Sequence, residues 1–110
     1  MALASAEILE NARKLAPKIA ARADEIAKLR RLPLDLVAEL EAAGVFRMPM
    51  PAAWGGPEMS PRAQNEVVEI LSAADASVGW CVRTHIAVQD RLIEEVAALA
   101  VGEDPPVPYL

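Results

Sequence analysis

A small all-α bundle of about four helices is the fold class this 110-residue sequence predicts. Three observations carry that expectation. Apolar residues recur at three- and four-residue steps over long stretches, the period of a helix with one buried face. Residues that start and stop helices punctuate those stretches at their ends. No segment alternates apolar and polar residues strictly enough to be a half-buried strand. The composition agrees: 54% of the residues are hydrophobic but only 4% are aromatic. Alanine, the commonest apolar residue, favours helix and lets helices approach closely, yet it buries little area. A chain of this length builds one core, and a modest one.

The first helix is expected from about Ser5, a candidate N-cap, to Arg30. Ile8, Ala12, Leu15, Ile19, Ala23 and Ile26 form its apolar stripe. Pro17 removes one backbone donor and crowds the carbonyl of Arg13. It predicts either a kink or a frayed leading turn with the true helix starting at Pro17. The second helix runs from Pro33, suited to the first helical position, to Ala43, with Gly44 ending it in the left-handed conformation. Leu36, Val37 and Leu40 share its apolar side, and Asp35 and Glu39 face away. Val45 to Pro51 then leaves the helix as an extended segment, since each proline pushes its predecessor out of the α region. Trp54-Gly55-Gly56 makes a turn before Pro57, with Trp54 folded onto the helices.

Ser60 as N-cap and Pro61 at the first helical position open the third helix. Its buried face is Ala63, Val67, Ile70, Leu71 and Ala74, with Arg62, Glu66 and Glu69 outward. Asp75 ends that helix or caps the next. The fourth helix begins near Ala76 and continues to Val101. Val78, Val82, His85, Leu92, Val96 and Leu99 fall close to one stripe, opposite Arg83, Asp90, Arg91, Glu94 and Glu95. Gly102 is a natural stop. Residues 1–102 thus form the domain, and the proline-rich residues 103–110 an extended tail.

Charge and cysteine content exclude several function classes. The formal charge is −5, and no run of Lys or Arg makes a basic stripe, so nucleic acid is not an expected partner. Arg30-Arg31, the densest basic spot, reads as the solvated end of a helix. One cysteine allows no internal disulfide and fits a reducing compartment. No stretch approaches the apolar length that spans a bilayer, and the N-terminus lacks the pattern of a secretion signal. A cytoplasmic protein is expected.

Several separate features between Ala16 and Cys81 carry a family likeness. A helix ends in Ala43-Gly44-Val45-Phe46, the chain passes Pro49 and turns at Trp54-Gly55-Gly56. A helix then closes on Asp75-Ala76-Ser77-Val78-Gly79-Trp80. This order resembles the N-terminal helical domain of the acyl-CoA dehydrogenase superfamily, including its flavin-dependent monooxygenase branch. The resemblance implies an oxidoreductase using FAD or reduced FMN. Members of the family are several times longer, with a β domain and a C-terminal helical bundle that hold the flavin and, in the dehydrogenases, the base. The chain by itself is therefore not expected to hold flavin or to catalyse. Its implied part is to wall the flavin and a pocket for acyl-CoA or a small aromatic substrate. The alternative is a free-standing, non-catalytic helical interaction module or a degenerate remnant. Arg47-Met48 and Gly79-Trp80-Cys81 lean towards the oxygenase branch.

Within that likeness Trp80 is the candidate cofactor contact, because a tryptophan at this point lies beside the flavin pocket in the monooxygenase-like members. The competing reading is that Trp80 is core, as large aromatics commonly are in small domains. Gly79 suits either, by admitting a ring or another helix. The oxygenase branch also carries a histidine two helical turns after that tryptophan. Here that position is Val88, whereas His85 follows Trp80 by five residues. His85 is therefore given no catalytic role and is expected to make a local hydrogen bond.

Other residues carry less. Cys81 and His85 share a helix face at ligand spacing, but two ligands make no closed zinc site, so no metal is expected. Cys81 lacks the surroundings of an activated thiolate. Gly55-Gly56 has neither the pattern nor the preceding strand of a phosphate cradle. Arg47 reads as a surface or capping residue. Helices cut off from the family's other domains would leave apolar surface exposed, with Val45, Phe46, Met48 and Met50 as candidates. Self-association or a longer flavoprotein subunit is the expected partnership.

Overall fold

The computed structural model describes residues 3–102. They form five helices: α1 (Ser5–Ala21), α2 (Ala23–Leu29), α3 (Leu34–Ala43), α4 (Pro61–Ala74) and α5 (Ala76–Ala100), with a single 3-10 turn at Ala52–Trp54. The described residues contain no strand, as the sequence predicts. The predicted tail at 103–110 lies outside the described residues.

The expected first helix is two helices, and the break is not at Pro17. α1 runs through Pro17, which sits on the exposed side, where the Arg13 carbonyl left without its intrahelical donor can turn to water. The break falls at Arg22, whose backbone (φ −107°, ψ 10°) closes α1 with its N–H on the Ile19 carbonyl. The Arg22 guanidinium donates two hydrogen bonds to Glu25 (3.0 and 2.8 Å) and two to Asp35 (2.8 and 3.1 Å). This double fork ties the start of α2 to the first turn of α3. It holds both carboxyl groups below their ordinary range and raises the Arg22 guanidinium further above its own.

Two helix starts shift by one residue. Ala4, extended at φ −75°, ψ 156°, is the N-cap of α1, so Ser5 falls inside the helix and its hydroxyl caps nothing. Pro33 is the N-cap of α3 rather than its first residue, with its carbonyl accepting from the Val37 N–H at 3.0 Å. The other predicted caps hold. Gly44 ends α3 at φ 89°. Ser60 Oγ accepts from the Ala63 N–H at 3.2 Å. Asp75 Oδ1 accepts from the Ser77 and Val78 N–H groups at 2.8 and 3.3 Å, capping α5.

The segment after α3 is a run of turns, not the extended segment expected. Arg47 N–H donates to the Gly44 carbonyl and Met50 N–H to the Arg47 carbonyl. Each proline restricts only the residue directly before it, so the turns that close on the Gly44 and Arg47 carbonyls still form, and they swing Val45 and Met48 fully into the core. Phe46 and Met50 are half-buried. The expected exposed patch is therefore not at Val45, Phe46, Met48 and Met50. The loop is pinned by backbone bonds from Glu58 to Met50 (2.8 Å) and from Met59 to Met48 (2.9 Å). Gly56 is buried where a Cβ would lie 2.3 Å from Met50 Cβ, so packing requires this glycine. Trp54 does not fold onto the helices; it stays exposed at the loop surface, because the turns fill the core with Met48 and Met59 instead.

α1 packs chiefly on α4, and α4 on α5, with α3 flanking α1. Ile8, Ala12, Leu15 and Ile19 from α1 share one core cluster with Val67 and Leu71 from α4 and Val78 and Val82 from α5. Gln64 is buried among them, its Nε2 donating to the Met59 carbonyl at 2.8 Å. The α5 stripe differs from the expected one. Its core positions are Val78, Gly79, Val82 and Ile86, whereas His85, Leu92, Val96 and Leu99 are exposed. At 1.5 Å per residue α4 is about 21 Å long and α5 about 37 Å. The second half of α5 therefore projects beyond the helix it packs on.

Candidate functional site

The core face of α5 decides where Trp80 points. Val78, Val82 and Ile86 repeat every four residues and turn inward. Trp80, two residues past Val78, lies some 200° further round the helix by the same geometry. Its side chain accordingly faces out, and the residue is 73% exposed. The core reading of Trp80 is thus incorrect.

Trp80 borders an open groove of about 580 Å³ between the end of α2 and the first turns of α5. Ile26 and Leu32 line its apolar floor, Arg30 and Arg31 border one side, and Ser77 and Cys81 border the other with Trp80. Arg30 closes α2 in the left-handed region (φ 55°), with its N–H on the Ile26 carbonyl at 3.0 Å. Among the described residues neither Arg30 nor Arg31 has a carboxylate within ion-pair distance. The sequence reading missed these arginines as site residues. Adjacent arginines near a helix end normally face solvent, and only the placement of α2 beside α5 brings them to Trp80's groove.

The other candidates lie elsewhere. His85 is exposed on a different side of α5 from Trp80, its Nδ1 2.7 Å from the Cys81 carbonyl oxygen, which is the local hydrogen bond expected of it. Its ring packs on Phe46 at 4.5 Å between centroids, and Gln89, one turn on, donates to the Phe46 carbonyl. This histidine thus anchors the 45–51 loop to α5. Val88 is exposed with no polar atom to offer. Cys81 is half-buried at the groove's edge. Arg47 borders a smaller groove beside Gly44 and Gly55. Among the described residues no three His, Cys, Asp or Glu side chains gather as metal ligands, and no helix is long and apolar enough to cross a membrane.

The family profile described as "Acyl-CoA dehydrogenase, N-terminal domain" matches residues 4–99. Among curated relatives, an indole-3-acetate monooxygenase of Acinetobacter baumannii is 48% identical over 46 residues, 42% of this chain and 12% of that protein. An indole-3-acetate monooxygenase of Pseudomonas putida is 40% identical over 60 residues, 54% of this chain and 15% of that protein. The oxygenase subunit HsaA of a flavin-dependent monooxygenase from Mycobacterium tuberculosis is 33% identical over 97 residues. That match covers 83% of this chain and 24% of HsaA. The chain thus spans a quarter or less of the length of these relatives. No solved structure matches it.

Proposed function

The chain belongs to the family of acyl-CoA dehydrogenase N-terminal domains, and on that basis we propose that it serves a flavin-dependent oxygenase as one wall of the flavin and substrate pocket. The observation that supports this most is the outward indole of Trp80 over an open groove, at the position where the family places a flavin-side tryptophan. The relatives reported above are named as monooxygenases, which favours oxygenation over dehydrogenation.

The residues present suit one edge of a flavin rather than its whole envelope. The exposed indole of Trp80 offers a ring face, and Ile26 and Leu32 extend an apolar floor that excludes water from one side. Gly55-Gly56 offers no phosphate cradle, since Met50 fills the space beside Gly56. Flavin, when bound, supplies the redox chemistry; this chain's residues orient it and shape the pocket. The family resemblance assigns the rest of its enclosure to a β domain and a C-terminal bundle, and this chain covers 24% of the HsaA relative. Leu92, Val96 and Leu99 on the projecting half of α5 are the surface through which the chain meets that longer flavoprotein, in the cytoplasm.

A chain that supplies one edge is not expected to hold flavin stoichiometrically, so the expected contact is weak, at high flavin concentration, and confined to one place. Nuclear magnetic resonance of the purified chain, titrated with FAD and with reduced FMN, reads that place. The Trp80 indole N–H is expected to shift saturably while that of Trp54 stays unmoved. Equal shifts at both tryptophans, or none at either, would reject Trp80 as the flavin contact.

A further inference from the structure

We propose that a second groove, between the start of α4 and the middle of α5, binds a short zwitterionic peptide. Its carboxylate meets Arg83, a backbone N–H donates to Gln64 Oε1, and its ammonium lies by Asp90. None of the residues bordering this groove borders the one beside Trp80, so the proposal is independent of the flavin reading.

Gln64 carries the argument. Its polar side chain is only 7% exposed, and its Nε2 donates to the Met59 carbonyl at 2.8 Å. A carbonyl only accepts, so the amide group beside it is the NH2, and Oε1 is aimed in a fixed direction. No described residue donates to Oε1, yet it is not sealed in. Among the described residues the wholly buried side-chain polar atom without a partner is Gln89 Oε1. Gln64 borders this groove, so its free acceptor opens there. A fixed acceptor in a nearly buried wall selects an N–H donor, because a ligand without one leaves it desolvated and unpaired.

The two charges come from α5. Arg83 Nη1 donates to Asn65 Oδ1 at 2.9 Å, which draws the guanidinium across to α4 and leaves its other donors unused. Asn65 reaches Arg83 while Ser72 lies against Gly79, so the two helices run antiparallel. Gln64 therefore faces the stretch between Arg83 and Asp90, which borders the same groove. Seven residues separate Asp90 from Arg83, 20° short of two full turns. Both charges thus lie on one side of α5, about 10 Å apart along its axis. Among the described residues neither has an opposite charge within ion-pair distance. Three residues of extended chain span about 10 Å. A free tripeptide carries an anion, N–H donors and a cation in the order and at the spacing this groove offers. Its carboxylate matches the planar fork of Arg83. Pro61 and Ile86 supply carbon surface between the polar points, and a volume of about 250 Å³ favours small side chains.

The test is titration of the full chain with triglycine, triglycinamide, N-acetyltriglycine and acetate, followed through the Gln64 side-chain amide and Arg83 Nε–H resonances. Triglycine is expected to shift both saturably and to bind at least about tenfold more tightly than either blocked form, with acetate weaker still. Arg83→Gln is expected to erase the preference over triglycinamide, and Asp90→Asn the preference over N-acetyltriglycine. Both positions are exposed and outside the core, so the fold is retained, as circular dichroism checks. Replacing the amides of triglycine by esters is expected to weaken binding through the lost donor to Gln64. Acetate binding as tightly as triglycine would reduce the groove to a simple anion site and overturn the proposal. Equal affinity for free and blocked ends, shifts away from the groove, or no saturable shift would each overturn it as well.

Discussion

The two halves of α5 carry similar numbers of large apolar side chains but use them in opposite ways. Val78, Val82 and Ile86 in the first half are buried; Leu92, Val96 and Leu99 in the second are exposed, Leu99 at 62%. Helical propensity does not separate them. The difference lies in what stands opposite. α4 offers Val67, Leu71 and the close approach of Ser72 to Gly79 along the first half, and then it ends. An apolar stripe states that a helix can be buried, and the length of its neighbour decides how much of it is.

The largest effect that could break this comparison comes from truncating one residue on each side of it. Leu71→Ala, inside the docked region, is expected to lower the free energy of unfolding by about 2–5 kcal/mol in urea. Leu99→Ala, on the projecting half, is expected to change it by less than about 0.5 kcal/mol. Similar losses for both would mean that the projecting half is packed in solution.

A second variant sharpens what docks the first half. A Cβ on Gly79 would lie 1.8 Å from Ser72 Oγ and 2.9 Å from Ser72 Cα, so α4 and α5 must move apart to admit it. Gly79→Ala is expected to destabilise by about 1–3 kcal/mol through overpacking, despite alanine's better helix propensity. Because backbone as well as hydroxyl is in the way, adding Ser72→Ala should restore only part of the loss. Full restoration would show that the hydroxyl alone sets the helix spacing.

The smallest expected effect is electrostatic and lies at the α1–α2 break. Glu25 and Asp35 are held below their ordinary range, chiefly by hydrogen bonds from Arg22. Their contribution to stability is therefore present above the ordinary carboxylate range and is lost as pH falls through their lowered folded values. Arg22→Gln should flatten the acid limb of the stability–pH curve and leave the neutral region little changed, since these exposed pairs are screened by water. An unchanged acid limb would mean that the fork does not persist in solution.

Much of this fold was legible in the sequence because local chemistry set it. Ser60, Asp75 and Gly44 cap helices by hydrogen bonding or backbone geometry that needs no distant partner. What was missed depends on tertiary placement. The break at Arg22 depends on Asp35, thirteen residues away, which no helical period reveals. The inward turn of Val45 and Met48 depends on pairing with Met59. Gln64 reads as a surface residue until the Met59 carbonyl is placed beside it. At the site, Trp80 is legible as a candidate, and its outward direction follows from its place two residues past Val78 on the helix; the groove beside it is not, because it needs the placement of α2 against α5. Arg30 and Arg31 were visible only as a charged helix end.

The claim on which the functional account depends is that Trp80 is surface machinery and not core. Equilibrium unfolding of Trp80→Ala beside Val82→Ala tests it directly. The account predicts that Trp80→Ala leaves stability within about 0.5 kcal/mol of the parent, while Val82→Ala, one of the fully buried residues, is clearly destabilised. A loss of about 3–5 kcal/mol for Trp80→Ala, as for a buried aromatic, would contradict it and return this tryptophan to the core.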